Sequence, residues 1–199
     1  MLITKLLVIR LLDILFSFVG LVLLSPLLLL IALWVKSDSR GPVFFRQIRV
    51  GRYGKDFQLF KFRSMRVDAD KAGLLTVGGR DPRITGAGYF LRKYKLDELP
   101  QLLNVLFGDM SVVGPRPEVR KYVNLYTPEQ RQILDVRPGI TDMASIEFRN
   151  ENEILAHSID PEQTYIQDIM PQKIRLNQVF IKDPTVFNYL RIIFRTVFG

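Results

Sequence analysis

Charged residues vanish from the chain between Ile14 and Val35, in the run ILFSFVGLVLLSPLLLLIALWV. These 22 residues exceed the roughly 20 that cross a bilayer as a helix. A cleavable signal peptide has an apolar core of about 7–15 residues and a small-residue cleavage site. This run is longer and has no such site, so it reads as retained. Pro26 falls near its middle. Proline removes one backbone hydrogen bond and clashes with the carbonyl four residues back, which kinks a helix. Ser25 can return a hydrogen bond to a freed carbonyl. Lys5 and Arg10 precede the run, and Lys36, Arg40 and Arg46 follow it, so positive charge does not choose an orientation. A kinked, re-entrant hairpin would put both flanks on the cytoplasmic side. On these physical signals alone, an ordinary spanning helix with a tolerated proline is the preferred reading.

Beyond the run the pattern changes period. Val43 to Arg49 and Phe57 to Ser64 are aromatic-rich and β-compatible, with Gly51, Gly54 and Asp56 between them, which predicts a hairpin with a long loop. Alternation puts Lys61 and Arg63 on the face of Phe57 and Leu59, and Phe60 and Phe62 on the other. Taken singly, Lys61 and Arg63 read as a solvated face. The stretch 78–88, GGRDPRITGAG, reads as a loop followed by a short helix. Thr127-Pro128, Asp160-Pro161 and Asp183-Pro184 each place a capping residue before a proline at the first helical position. Gln130 and Gln163 complete two capping boxes. The last helix, predicted over 184–198, gathers Phe187, Leu190, Phe194 and Val197 on one face, with Arg191 and Arg195 near its edge. That suits an interfacial helix with snorkelling arginines, or equally a helix packed on the core.

Composition narrows the chemistry. Lys plus Arg is 28 against 20 Asp plus Glu, a net charge of +8 in 199 residues. Such a balance favours an anionic partner: nucleic acid, an anionic membrane or a phosphorylated ligand. With no cysteine, disulfides, thiolate nucleophiles and cysteine-ligated zinc are excluded. The one histidine, His157, rules out a multi-histidine metal site. A bound metal would need oxygen ligands, which points to magnesium or manganese.

The stretch YKLDELPQLLNVLFGDMSVVGPRPE carries the sharpest signal. Leu96, Leu99, Leu102, Leu103 and Leu106 follow helical spacing, and Pro100 then belongs in the first turn. This puts Asp97 at or near the N-cap, with Glu98 beside it, where free N–H groups favour an ionised carboxylate and also a phosphate. Such a pair reads either as a cap or as a nucleophile beside an electrophilic phosphorus, with cations cancelling the repulsion. Arg116 lies between Pro115 and Pro117, whose rings restrict the backbone and aim its guanidinium. That group suits bidentate phosphate binding, a surface arginine in a rigid turn being the alternative.

Together, RLLDILFSFVGLVLLSPLLLLIAL, GPVFFRQIRVGRYGKDFQLFKFRSM, DPRIT, LRKYKLDELPQLLNVLFGDMSVVGPRPE and VRPGIT resemble the bacterial sugar transferases, the monotopic phosphoglycosyl transferases. The resemblance runs from Arg10 to about Asn150. It implies transfer of a phosphosugar from a UDP-sugar to a polyprenol (undecaprenyl) phosphate, releasing UMP, with Mg2+ present and no nucleic-acid partner. It implies that Asp97 forms a covalent phosphosugar intermediate, that Glu98 assists as metal ligand or base, and that Lys61, Arg92, Arg116 and Arg149 bind substrate phosphates. It maps the family's helix-breaking Ser-Pro onto Ser25 and Pro26, which overturns the preference for a span and puts the catalytic domain on the cytoplasmic face of the bacterial inner membrane.

The fold expected is therefore α+β and helix-rich: a re-entrant membrane helix over 1–36, a cytosolic catalytic domain over 37–185 with a small β-hairpin and interfacial helices, and a C-terminal helix over 186–199. One apolar segment makes the chain look like the small form of the family. After RPGIT the family often continues Gly-Trp-Ala-Gln, whereas here Asp142-Met143-Ala144-Ser145 stands. The competing reading is a membrane-anchored basic module that binds polyanions without catalysis, although its cations are dispersed and lack an aromatic stacking pattern.

Overall fold

A computed structural model describes residues 2–69 and 81–198. Residues Leu2–Asp38 form one helix, α1, of 37 residues. At 1.5 Å per residue it reaches roughly 55 Å, well beyond a hydrocarbon core of about 30 Å. α1 stays helical through Pro26, so Ser25-Pro26 does not end the helix. Having no N–H, Pro26 leaves the Val22 carbonyl without its helical donor. The Ser25 hydroxyl donates to that carbonyl at 2.8 Å, which satisfies the orphan without ending the helix.

One side of α1 lies on the rest of the protein at several points. Arg10 donates to the Val105 and Leu106 carbonyls at 2.7 and 3.2 Å. Asp13 Oδ1 accepts from the Ser111 hydroxyl, the Val112 N–H and the Tyr189 hydroxyl at 2.8–2.9 Å. A Cβ on Gly20 would stand 3.3 Å from Leu102. Ile31 and Val35 pack with Phe62 and Leu91. The other side leaves Leu11, Leu23, Leu29, Leu30 and Leu33 more than half exposed.

Strands β1 (Phe44–Val50) and β2 (Asp56–Phe62) form the predicted antiparallel hairpin, with Phe44 opposite Phe62 and Val50 opposite Asp56. Arg63 follows β2 and is buried, donating to the Val35, Ser39 and Pro42 carbonyls and to the Ser39 hydroxyl. It caps the end of α1, so the solvated-face reading of this position is corrected. Residues 78–80 of the predicted loop lie outside the described residues. α2 (Gly86–Lys93) begins inside the rest of it, capped by the Thr85 hydroxyl and by Asp38, which accept from the Gly88 and Ala87 N–H groups.

Lys95 adopts a left-handed conformation, φ 57°, uncommon for a side chain of this size. It separates α2 from a 3-10 turn at Leu96–Glu98, after which Leu99 and Pro100 lead into α3 (Gln101–Phe107). The strands β3 (Ser111–Val113) and β4 (Gly139–Thr141) pair in parallel. At their ends Gly114 and Gly139 touch backbone to backbone, and a Cβ on Gly139 would stand 2.1 Å from the Gly114 nitrogen.

The remaining helices close the body: α4 (Arg120–Val123), α5 (Pro128–Arg131), α6 (Met143–Glu147), α7 (Glu151–Ala156), α8 (Pro161–Thr164), α9 (Met170–Lys182) and α10 (Val186–Phe198). A π-helical turn at Tyr165–Ile169 joins α8 to α9. The Thr127/Gln130 capping box forms as predicted, and Asp160 caps α8. α10 starts two residues later than expected, because the Thr185 hydroxyl accepts from the Asn188 N–H. It packs through Tyr189 and Ile192, while Phe187, Leu190, Phe194 and Val197 remain 45–73 % exposed.

Candidate active site

Three separate pieces of chain converge on one carboxylate. β2 contributes Lys61, whose ammonium donates to Glu98 Oε1 at 3.0 Å. The loop after β3 contributes Arg116, whose guanidinium donates to both oxygens of Glu98. The 3-10 turn supplies Glu98 itself and Asp97, both buried.

Asn104, in α3 just after the turn, fixes that helix against β2. This fully buried residue accepts from the Phe60 N–H at 3.0 Å and donates to the Gln58 carbonyl at 2.7 Å. Its amide thereby takes the place of a strand partner along β2, next to Lys61. The Arg116 loop is braced from three sides. Asp142 Oδ2 accepts from the Arg116 N–H at 3.0 Å and from Asn177 at 2.8 Å. Arg49 donates to the Pro117 carbonyl at 3.1 Å. The Gly139 N–H donates to the Pro115 carbonyl at 2.9 Å.

The electrostatics of the two carboxylates diverge. Burial alone would raise Glu98, but Arg116 and Lys61 override it and hold the carboxyl well below the ordinary glutamate range. Glu98 in turn raises Arg116. Burial raises Asp97, and Lys61 and Arg92 only partly oppose it. Burial lowers Lys61, against the pull of Glu98. Asp97 does not cap the turn, so the capping reading is corrected. Its Oδ1 is buried without a hydrogen-bond partner.

The family model for the bacterial sugar transferases matches residues 4–199. The chain belongs to this family. Across 193 residues it is 41 % identical to the UDP-glucose:undecaprenyl-phosphate glucose-1-phosphate transferase of Klebsiella pneumoniae, covering 95 % of this chain and 39 % of that protein. It is 37 % identical over 190 residues to the UDP-N-acetylgalactosamine-undecaprenyl-phosphate N-acetylgalactosaminephosphotransferase of Aeromonas hydrophila, covering 93 % of this chain and 41 % of that one. It is 47 % identical over 144 residues to the exopolysaccharide production protein PSS of Rhizobium leguminosarum, covering 69 % and 72 %. The chain spans about two fifths of the length of the Klebsiella and Aeromonas relatives.

Of the expected site residues, Lys61, Asp97, Glu98 and Arg116 stand together, and Arg92 lies within electrostatic reach of Asp97. Lys61 is therefore an ion-pair partner rather than part of a solvated face. Arg149 is exposed and donates to the Arg195 carbonyl in the last turn of α10. Sequence reasoning missed Arg49, Asn104 and Asn177, which position other groups from separate elements. Asp142 was noticed only as a departure from the family's usual residues, and the structure gives it a job: it holds Arg116 and caps α6.

A divalent cation can be tested against the donors present. Among the described residues no three Asp, Glu, His or Cys side chains gather. Magnesium is usually held by one or two carboxylates together with substrate phosphates and water. The unpaired Asp97 Oδ1 fits that pattern. Glu98 uses three of its roughly four acceptor positions on Lys61 and Arg116, which leaves one on Oε2 for such a shell.

Proposed function

We propose that the chain transfers a phosphosugar from a UDP-sugar to a polyprenol phosphate through a covalent intermediate on Asp97. One observation carries this reading: a buried aspartate oxygen without a partner stands beside a carboxylate already neutralised by Lys61 and Arg116. An ionised oxygen with no competing hydrogen bond is a workable nucleophile. It attacks the sugar-linked phosphorus, forming an Asp97 O–P bond and breaking the P–O bond to UMP, which leaves. The polyprenol phosphate then attacks the same phosphorus, releasing Asp97 as carboxylate and yielding polyprenyl-diphosphate-sugar.

Glu98 keeps Lys61 and Arg116 charged and aimed, and both cations face the incoming diphosphate. Asp97, joined by Glu98, would hold Mg2+, which would supply charge neutralisation on the phosphate oxygens. Placement at the cytoplasmic face of the membrane draws support from α1. It is the one helix among the described residues long and apolar enough to cross a bilayer. The same globular body holds Arg10 and Asp13 near its start and Val35 and Asp38 at its end, which favours a segment that enters and leaves on one side.

The test is release of UMP before any acceptor is added. With Mg2+ and a panel of UDP-sugars, the protein should release up to one equivalent per site and carry a phosphosugar adduct on the peptide containing Asp97. Asp97→Asn should lose both. UMP that forms only when undecaprenyl phosphate is present, with no adduct on Asp97, would establish direct transfer instead.

A further inference from the structure

Two buried side-chain atoms among the described residues lack a hydrogen-bond partner: Asp97 Oδ1 and Gln101 Nε2. The residues are four apart, and Leu99 and Pro100 between them are already helical. They therefore lie on one face of the turn. One atom accepts and the other donates, yet they do not bond each other. Gln101 is only 2 % exposed. A buried amide left unpaired costs its desolvation, and an apolar side chain of the same shape would avoid that cost. Asn104, one turn on, shows how a structural amide behaves here, since both ends of its group are engaged by β2. Gln101 has no such role. Pro100, next to it, carries no N–H, so the turn lacks a backbone donor where the side-chain amide could supply one.

We propose that Gln101 is a substrate-binding residue whose Nε2 donates to an oxygen of the sugar-linked phosphate held against Asp97. The ligand class is the phosphosugar half of the nucleotide sugar, so the proposal rests on the function proposed above. The donor is neutral, set on a rigid turn and shielded from water, where a hydrogen bond to developing phosphate charge is strongest. Lys61 and Arg116 are tied to Glu98 in the free protein. Gln101 is tied to nothing and need not break a bond to receive substrate.

The informative variant is Gln101→Met, which removes the donor and nearly keeps the volume. In the full chain, reconstituted in lipid with Mg2+ and UDP-sugar, acceptor-independent UMP release should slow by about 10- to 100-fold. The thermal midpoint should stay level or rise, because an unpaired buried amide has been removed. In an Asp97→Asn background, where no transfer occurs, Gln101→Met should still weaken UDP-sugar binding. Unchanged UMP release in Gln101→Met overturns the proposal and leaves the Asp97 reading intact. A midpoint that falls along with activity, with binding in the Asp97→Asn background unmoved, also overturns it and makes Gln101 a structural support for Asp97. A wild-type protein that releases no UMP without acceptor sinks the Asp97 reading, and this proposal with it.

Discussion

Burial holds the Asp97 carboxyl above its usual range, while Arg116 and Lys61 hold Glu98 beside it well below its own. Neighbouring carboxyls with pKa values pushed apart are able to take different roles. The shift at Asp97 also reaches stability. A carboxyl raised in the folded protein holds its proton more tightly than in the unfolded chain. Its contribution is full below the unfolded value near 3.8 and is lost as pH rises through the folded value. Above that window, ionised Asp97 works against folding. Asp97→Asn should therefore melt above wild type at about pH 8, and the gap should close as the pH falls toward about 4. Thermal unfolding at fixed lipid composition across that range checks this. An Asn variant that is less stable at the upper end would make Asp97 a structural partner.

At the scale of elements, the sequence was most informative where a rule is local. The β-hairpin followed from two aromatic runs around glycines. Thr127 and Gln130 sit three residues apart as a capping box requires, and they form one. Local rules failed where distant residues intervene. Thr185 took the cap expected of Asp183, and Arg63 turned inward because the end of α1 supplies it with carbonyls. The site was half legible for the same reason. Asp97, Glu98 and Arg116 stand out within one short stretch, whereas Asn104, Asn177 and Arg49 act through partners far along the chain. In α1, Pro26 removes one helical donor, and the Ser25 hydroxyl supplies another locally. Whether the ends of α1 share one side of the membrane is open to direct measurement. The chain has no native cysteine, so single substitutions report cleanly. Lys5→Cys and Arg40→Cys should both react with an impermeant maleimide only from the cytoplasmic side. Labelling of position 5 from the periplasm would establish a span.

Among the described residues, the outer side of α1 and the outer face of α10 present apolar surfaces to their surroundings. Phe187, Phe194 and Phe198 on α10 are each more than 60 % exposed, although Tyr189 and Ile192 already anchor the helix to the core. Exposed aromatics on an amphipathic helix suit the edge of a bilayer. A polarity-sensitive probe on Phe194→Cys should shift to shorter wavelength in vesicles and resist quenching by aqueous iodide. The thermal midpoint should be unchanged, since this side chain contributes little to the core. Full quenching by iodide in vesicles would leave α10 facing water.

Lys61, Phe62 and Arg63 are consecutive, and each holds a different thing. The first binds Glu98, the second packs on Val35, and the third ties down the carbonyls that end α1. On the proposed reading, these three residues join α1 to the site carboxylates as one strut and set their height above the lipid. On the proposed reading, the acceptor's phosphate occupies that same plane. Encounter between enzyme and acceptor then becomes a search in two dimensions, and the second half-reaction answers to the number of acceptor molecules per unit of membrane area rather than per unit of solution volume.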